Sequence, residues 1–255
     1  QYENPEIPQT DTVEKLREAA RSIYKIKKYD TMRRWYIEHD ENAQKEIEQT
    51  SENNRGEFGE LLLHLILRDF KETIPLISKV YFKDSLGVPS HGFDAVHISP
   101  KEKILWLGES KFYNDGKQGV GKLLDDLTNH FTRDFLNDQF LIIKKNLTNN
   151  SIPQRDEWIN ILSNCSKLQD KINMINIPML CTYTHDTYQL FSDFANNDAI
   201  MYHEASIREL KQYFDENNKH PLKGRLNIIL LLFPIRDKKE LVIKLHEKLW
   251  HMQSM

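Results

Sequence analysis

With 255 residues, 39% of them hydrophobic and 29% charged, the chain is long enough to bury a sizeable core and reads as a soluble globular protein. A net charge of −3 at pH 7 argues against attachment to nucleic acid through bulk basicity, because phosphate contacts supply most nonspecific affinity. No apolar run reaches bilayer-spanning length, the first residues lack a signal-peptide pattern, and Cys165 and Cys181 form no ligand cluster, which together point to a cytoplasmic protein without a membrane anchor.

Residues 1–52 read as an N-terminal helical segment, with Asp11-Thr12 capping the first helix and a second helix running through polar residues to Glu48. Arg21, Lys25, Lys27, Lys28, Arg33 and Arg34 are interleaved there with Tyr24, Tyr29 and Trp35. Basic residues among aromatics suit nucleic acid or an acidic partner, and a solvated helix face is the plain alternative. From residue 53 to 255 the pattern changes to helices alternating with apolar runs.

Residues 55–71 form a largely apolar helix crossed by a polar stripe, Glu57, Glu60, His64 and Arg68, at three- and four-residue spacing. His64 and Arg68 are read equally well as the solvent side. Strands follow at 77–83, 92–98 and 103–113, then a helix from Gly119 to Phe135 with Leu123, Leu124, Leu127 and Phe131 on one face. Lys122, Asn129 and Arg133 are left on that helix as possible nucleic-acid backbone contacts. A helical stretch from Asp156 to about Met174 precedes a strand at Ile177–Thr184 and a helix at Ser206–Asn217. Leu226–Phe233 is continuously apolar, so it reads as a strand buried on both faces and stopped by Pro234. A last helix covers Lys238–His251. Strands interspersed with helices predict an α/β (α+β) fold with a central mixed sheet flanked by helices.

Three charged groups lie inside two of the apolar strands: Asp94, Glu109 and Lys111. Removing such groups from water costs several kcal/mol unless they are paired or coordinated. Glu109 and Lys111, two apart, share a strand face with Leu105 and Leu107, while Ile104, Trp106 and Phe112 occupy the other. Gly108 would clear space beside Glu109. Other acid-x-Lys triplets, Asp115-Gly116-Lys117, Glu209-Leu210-Lys211 and Asp237-Lys238-Lys239, lack strand-like apolar flanks. Phosphodiester hydrolysis needs a hard cation, oxygen ligands and a group that orients or deprotonates water. Asp94 and Glu109 are therefore expected to bind Mg2+ (or Mn2+), with the Ser110 carbonyl as a possible third ligand and Lys111 holding the attacking water or a phosphate oxygen. Glu60 is the preferred supporting acid, with Glu57 as its alternate. The histidines His91, His97, His130, His185 and His203 show no zinc-ligand spacing.

The order of these elements resembles the PD-(D/E)xK nuclease superfamily, with Phe93 standing where the superfamily's name has proline. Gly-Glu-Phe-Gly-Glu (56–60), Gly-Phe-Asp (92–94) and Gly-Glu-Ser-Lys-Phe-Tyr (108–113) resemble more narrowly the HamA family, the nuclease subunit of Hachiman anti-phage defence, with AbpA-like defence proteins the competing family. The resemblance implies a restriction-endonuclease-like domain over 53–255, Asp94 and Glu109 as metal ligands, Lys111 as catalytic lysine and Glu60 as supporting acid. It also implies DNA as substrate and a helicase, HamB, as partner. A catalytically silent subunit that binds DNA or helicase, and a stand-alone restriction or repair endonuclease, are the alternatives.

Overall fold

A computed structural model of the chain describes residues 12–23, 25–26, 29–48, 56–78, 92–149, 154–165 and 167–255. Its elements are α1 (Thr12–Ile23), α2 (Tyr29–Tyr36), α3 (Glu41–Glu48), α4 (Gly56–Lys71), β1 (Ile74–Ser78), β2 (Ala95–Ser99), β3 (Ile104–Tyr113), α5 (Gly116–His130) and α6 (Arg133–Asn149). They continue with α7 (Arg155–Asn164), α8 (Leu168–Asn173), β4 (Ile175–Thr184), α9 (Thr187–Leu190), α10 (Asn197–Asn217), β5 (Asn227–Ile235) and α11 (Lys238–Ser254). No described helix is long and apolar enough to cross a membrane.

The five strands form one sheet in the order β1-β2-β3-β4-β5. β2 pairs antiparallel with β1 and with β3, to which a tight turn joins it, whereas β4 and β5 are reached through helices and run parallel to β3. The sheet is thus mixed and flanked by helices, an α+β arrangement of the restriction-endonuclease-like kind. β3 lies at its centre, and its alternating faces meet different helices. Leu63 and Leu67 of α4 pack with Trp106, Ala95 and Leu180 on one side. Val120, Leu123 and Leu127 of α5 pack with Leu105 and Leu107 on the other. This is the two-sided burial that the alternation in 104–112 predicts.

Gly108 faces α4, not the space beside Glu109. A Cβ there would come within 2.8 Å of Leu63 Cδ2 and 3.1 Å of Pro178 Cγ, so the missing side chain admits the helix. On the opposite face, a Cβ on Gly119 would lie 2.5 Å from Cys181 Sγ, which shows how closely α5 approaches β4.

Several boundaries differ from the expectations. α5 starts at Gly116, three residues before the expected Gly119, because the Asp115 carboxylate accepts the Gln118 N–H and caps it. It stops at His130, and α6 begins anew where Thr132 Oγ1 accepts the Phe135 N–H at 3.4 Å. α6 buries Leu136, Phe140, Ile143 and Leu147. The N-terminal polar helix divides into α2 and α3, and the helical stretch 156–174 into α7 and α8. α10 begins well before Ser206, at Asn197. β1 covers Ile74–Ser78, and the remainder of the strand expected at 77–83 lies outside the described residues.

β5 is the clearest correction. Among the described residues it is an edge strand paired only with β4, its residues Ile228–Leu232 are half-buried and Phe233 is 40% exposed, so it is not buried on both faces. It also continues through Pro234 to Ile235, which an edge position tolerates because a missing N–H there breaks no ladder on the open side. The N-terminal helices close on the last one: Ala20, Ile26 and Met32 pack with Val242, Leu249 and Trp250. Gln253 of α11 ties them further, its Oε1 accepting the Ile26 N–H and its amide donating to the Ala20 carbonyl.

The seat of α5 sets a prediction. Gly119→Ala should destabilise the protein by about 1–3 kcal/mol in denaturant titration, because overpacking against Cys181 outweighs the helix-propensity gain of about 1 kcal/mol. Adding Cys181→Ala to that chain should recover part of the loss.

Candidate active site

β2 begins with Ala95 opposite Gly108, while β3 runs on to Tyr113. Beyond Gly108 the antiparallel partner has ended, and a backbone donor on that side needs a new acceptor. Asp94 supplies it. Its Oδ2 accepts the Ser110 N–H at 2.8 Å and the Ser110 hydroxyl at 3.1 Å, and the side chain is buried. One register step past the Ala95–Gly108 pair, Asp94 stands across from Glu109.

Glu109 is 1% exposed and points toward α5, where its Oε1 lies 2.6 Å from His130 Nδ1. Burial pushes its pKa up from 4.5 to about 7; the His130 hydrogen bond pulls it down, and the charges of Asp94 and Asp126 push it further up. Lys111, on the same face, is half-buried against Asp126 of α5, Nζ to Oδ2 at 2.5 Å. Burial works against its ammonium, yet the Asp126 hydrogen bond and charge, with those of Asp94 and Glu109, raise its pKa above the ordinary lysine value. The three residues singled out in sequence are therefore brought to one place.

α4 covers the other side of the same strand. A Cβ on Gly59 would lie 3.5 Å from Ser110 Oγ, so the first turns of α4 lie over the Glu109–Lys111 segment. Glu60, the next residue, is buried at 8% exposure, while Glu57 is only half-buried. His64 is interior as well, not on a solvent face: its Nδ1 is 2.6 Å from His97 Nε2, and His97 Nδ1 is 2.8 Å from the Thr73 hydroxyl. Burial lowers the pKa of His64 to about 4 and lowers that of His97 also, leaving both neutral at pH 7. Arg68 reaches Asp69 at the surface.

The donor set suits a hard divalent cation. Among the described residues no three His, Cys, Asp or Glu side chains form a cage; Mg2+ characteristically takes one or two carboxylates and keeps several waters. In an extended strand the N–H and C=O of one residue face the same neighbour. Since the Ser110 N–H meets Asp94, its carbonyl is directed to that side too, toward the segment that carries the Asp94 carboxylate.

Two contributors were not singled out as site residues, Asp126 and His130 of α5. The available signal was their i, i+4 spacing on the helix that follows the Glu-x-Lys strand. The proposed nucleic-acid contacts stand differently. Lys122 pairs with Asp125, Arg33 with Glu38, and Arg34 with Asp40 and Glu46, whereas Asn129 and Arg133 are exposed. Tyr24, Lys27, Lys28 and His91 lie outside the described residues.

A family model described as HamA matches residues 3–249. No curated protein and no solved structure matches the chain.

The buried Glu109 carboxyl makes stability depend on pH. Between pH 4.5 and about 7 the folded chain keeps a proton that the unfolded chain releases, so stability falls as pH rises through that window, and the full penalty is present above it. Glu109→Gln should raise the stability of the metal-free protein at pH 8 by on the order of 1–3 kcal/mol, with the difference vanishing below about pH 4.5 in calorimetry.

Proposed function

The chain belongs to the HamA family, and on that premise we propose that it is a metal-dependent DNA endonuclease acting in Hachiman anti-phage defence together with a helicase subunit. The observation that carries this reading is the placement of Asp94 and Glu109 across neighbouring chain segments with Lys111 beside them, all at the end of β2. Structural ion pairs have little reason to gather two buried carboxylates, since removing them from water costs more than a surface pair returns.

Asp94, Glu109 and the Ser110 carbonyl would hold Mg2+ or Mn2+. Bound there, such a cation supplies positive charge against the phosphate and lowers the pKa of a coordinated water. Asp94 is kept in place by two donors from Ser110, so its carboxylate is oriented before any ligand arrives. Lys111 carries a charge reinforced by its acidic neighbours, and it would hold the attacking water or a phosphate oxygen as negative charge develops. Glu60, buried in the helix over this strand, is the supporting acid in this reading.

Plasmid DNA incubated with the chain, alone and with its helicase, should be cleaved in Mg2+ and left intact in EDTA. Lys111→Ala and Asp94→Asn should each lower the rate about 100-fold or more. Intact DNA with wild type under both conditions, or cleavage that survives EDTA and Lys111→Ala, overturns the proposal.

A further inference from the structure

We propose that Asp126 and His130 of α5 are positioning residues for the Glu109–Lys111 pair, holding the carboxylate for its cation and the ammonium for the phosphate. The inference rests on the metal-nuclease reading and deepens it.

The argument begins with spacing. Two residues along a strand advance about 6.6 Å, and four along a helix about 6 Å. Glu109 and Lys111 are two apart on β3; His130 and Asp126 are four apart on α5. α5 runs back over the sheet after β3 ends, so the pairs match in reversed order, His130 with Glu109 at 2.6 Å and Asp126 with Lys111 at 2.5 Å. A single helix face thus meets both members of the pair in register. The match depends on how closely α5 sits, which the close approach of Gly119 to Cys181 fixes.

The His130 ring is itself held. It stacks on Phe135, with centroids 4.5 Å apart and planes at 10°, and Phe93 meets it edge-on at 6.0 Å. Phe93 is the neighbour of Asp94, so the same wall serves both acids. With its ring oriented, His130 Nδ1 lies 2.6 Å from Glu109 Oε1, and as a donor there it would fix the carboxylate so that Oε2 could meet the cation. Ser110 does the equivalent for Asp94 through Oδ2. Histidine and carboxylate partners behind metal ligands commonly act this way, by restricting the ligand's rotation. Asp126 plays the complementary part for Lys111, a long flexible side chain that would otherwise sample many rotamers.

Two His130 variants separate this role from packing. His130→Leu keeps apolar bulk between Phe93 and Phe135 without a donor, whereas His130→Asn places an amide nitrogen near the Nδ1 position. Titration calorimetry with Mn2+ on the DNA-free chain should show His130→Leu weakened about 10–100-fold and His130→Asn restored to within a few-fold of wild type, both with a cooperative melting transition. Asp126→Asn should lower kcat on plasmid about 10-fold or more while KM holds. Equal Mn2+ affinity in wild type, His130→Leu and His130→Asn overturns the positioning role and leaves the metal site standing. Loss of affinity in His130→Asn with retention in His130→Leu overturns it as well. A wild-type chain that takes up no Mn2+ overturns the metal reading and this inference together.

Discussion

The hydrogen bond from the Ser110 N–H to Asp94 is the contact on which the rest of the site's geometry turns. It exists because β2 begins only at Ala95 while its antiparallel neighbour β3 runs on past Gly108, leaving a buried donor that must be satisfied. A side-chain carboxylate takes the place of a strand. That substitution fixes Asp94 opposite Glu109, and the sheet's own need for hydrogen bonding thereby aligns the two acids. The mixed sheet follows the same logic: an antiparallel neighbour ends early on one side of β3, and a parallel neighbour, β4, continues past Tyr113 on the other.

Electrostatics and packing pull against each other around this point. Glu109 is held in an environment that favours its neutral form, and the fold tolerates it because His130 supplies a donor and Lys111 and Asp126 compensate each other nearby. Behind the strand, His64, His97 and Thr73 form a neutral polar ladder under α4. Polar groups therefore lie on both faces of the sheet near the same strand end, each with a partner that limits its desolvation cost.

Much of this was legible from residues alone. Period-two alternation in 104–112 sorts Glu109 and Lys111 from Trp106 and Phe112 as the structure does, with Glu109 and Lys111 toward α5 and Trp106 toward α4. What escaped depended on neighbours distant in sequence. Gly116 looks like a loop residue until Leu210 is seen against it, and no local pattern shows that Gly119, inside the predicted helix, lies against Cys181. Leu226–Phe233 has the composition of a central strand, but whether a strand is central or at an edge is a property of topology that no local pattern carries. Gly108 was recognised as a close-approach position, yet strand parity was needed to see that α4, not a ligand, makes the approach. His130 carried no zinc-type spacing, and its partner is a carboxylate on another element.

The tight turn between β2 and β3, and the short step from β3 into α5, have a consequence for how the chain acquires its site. Asp94, Glu109, Lys111, Asp126 and His130 all fall within one stretch of a hairpin followed by a helix. Bringing them together closes only short loops, and the entropy of loop closure grows with length. β4 and β5 must be recruited across far longer separations. The chemistry-bearing unit is therefore nearly local in the chain, and the distant strands serve as the floor on which it rests. Changes of length between α6 and β4, or between β4 and β5, would alter that floor's connections without altering the order or spacing of the groups above it.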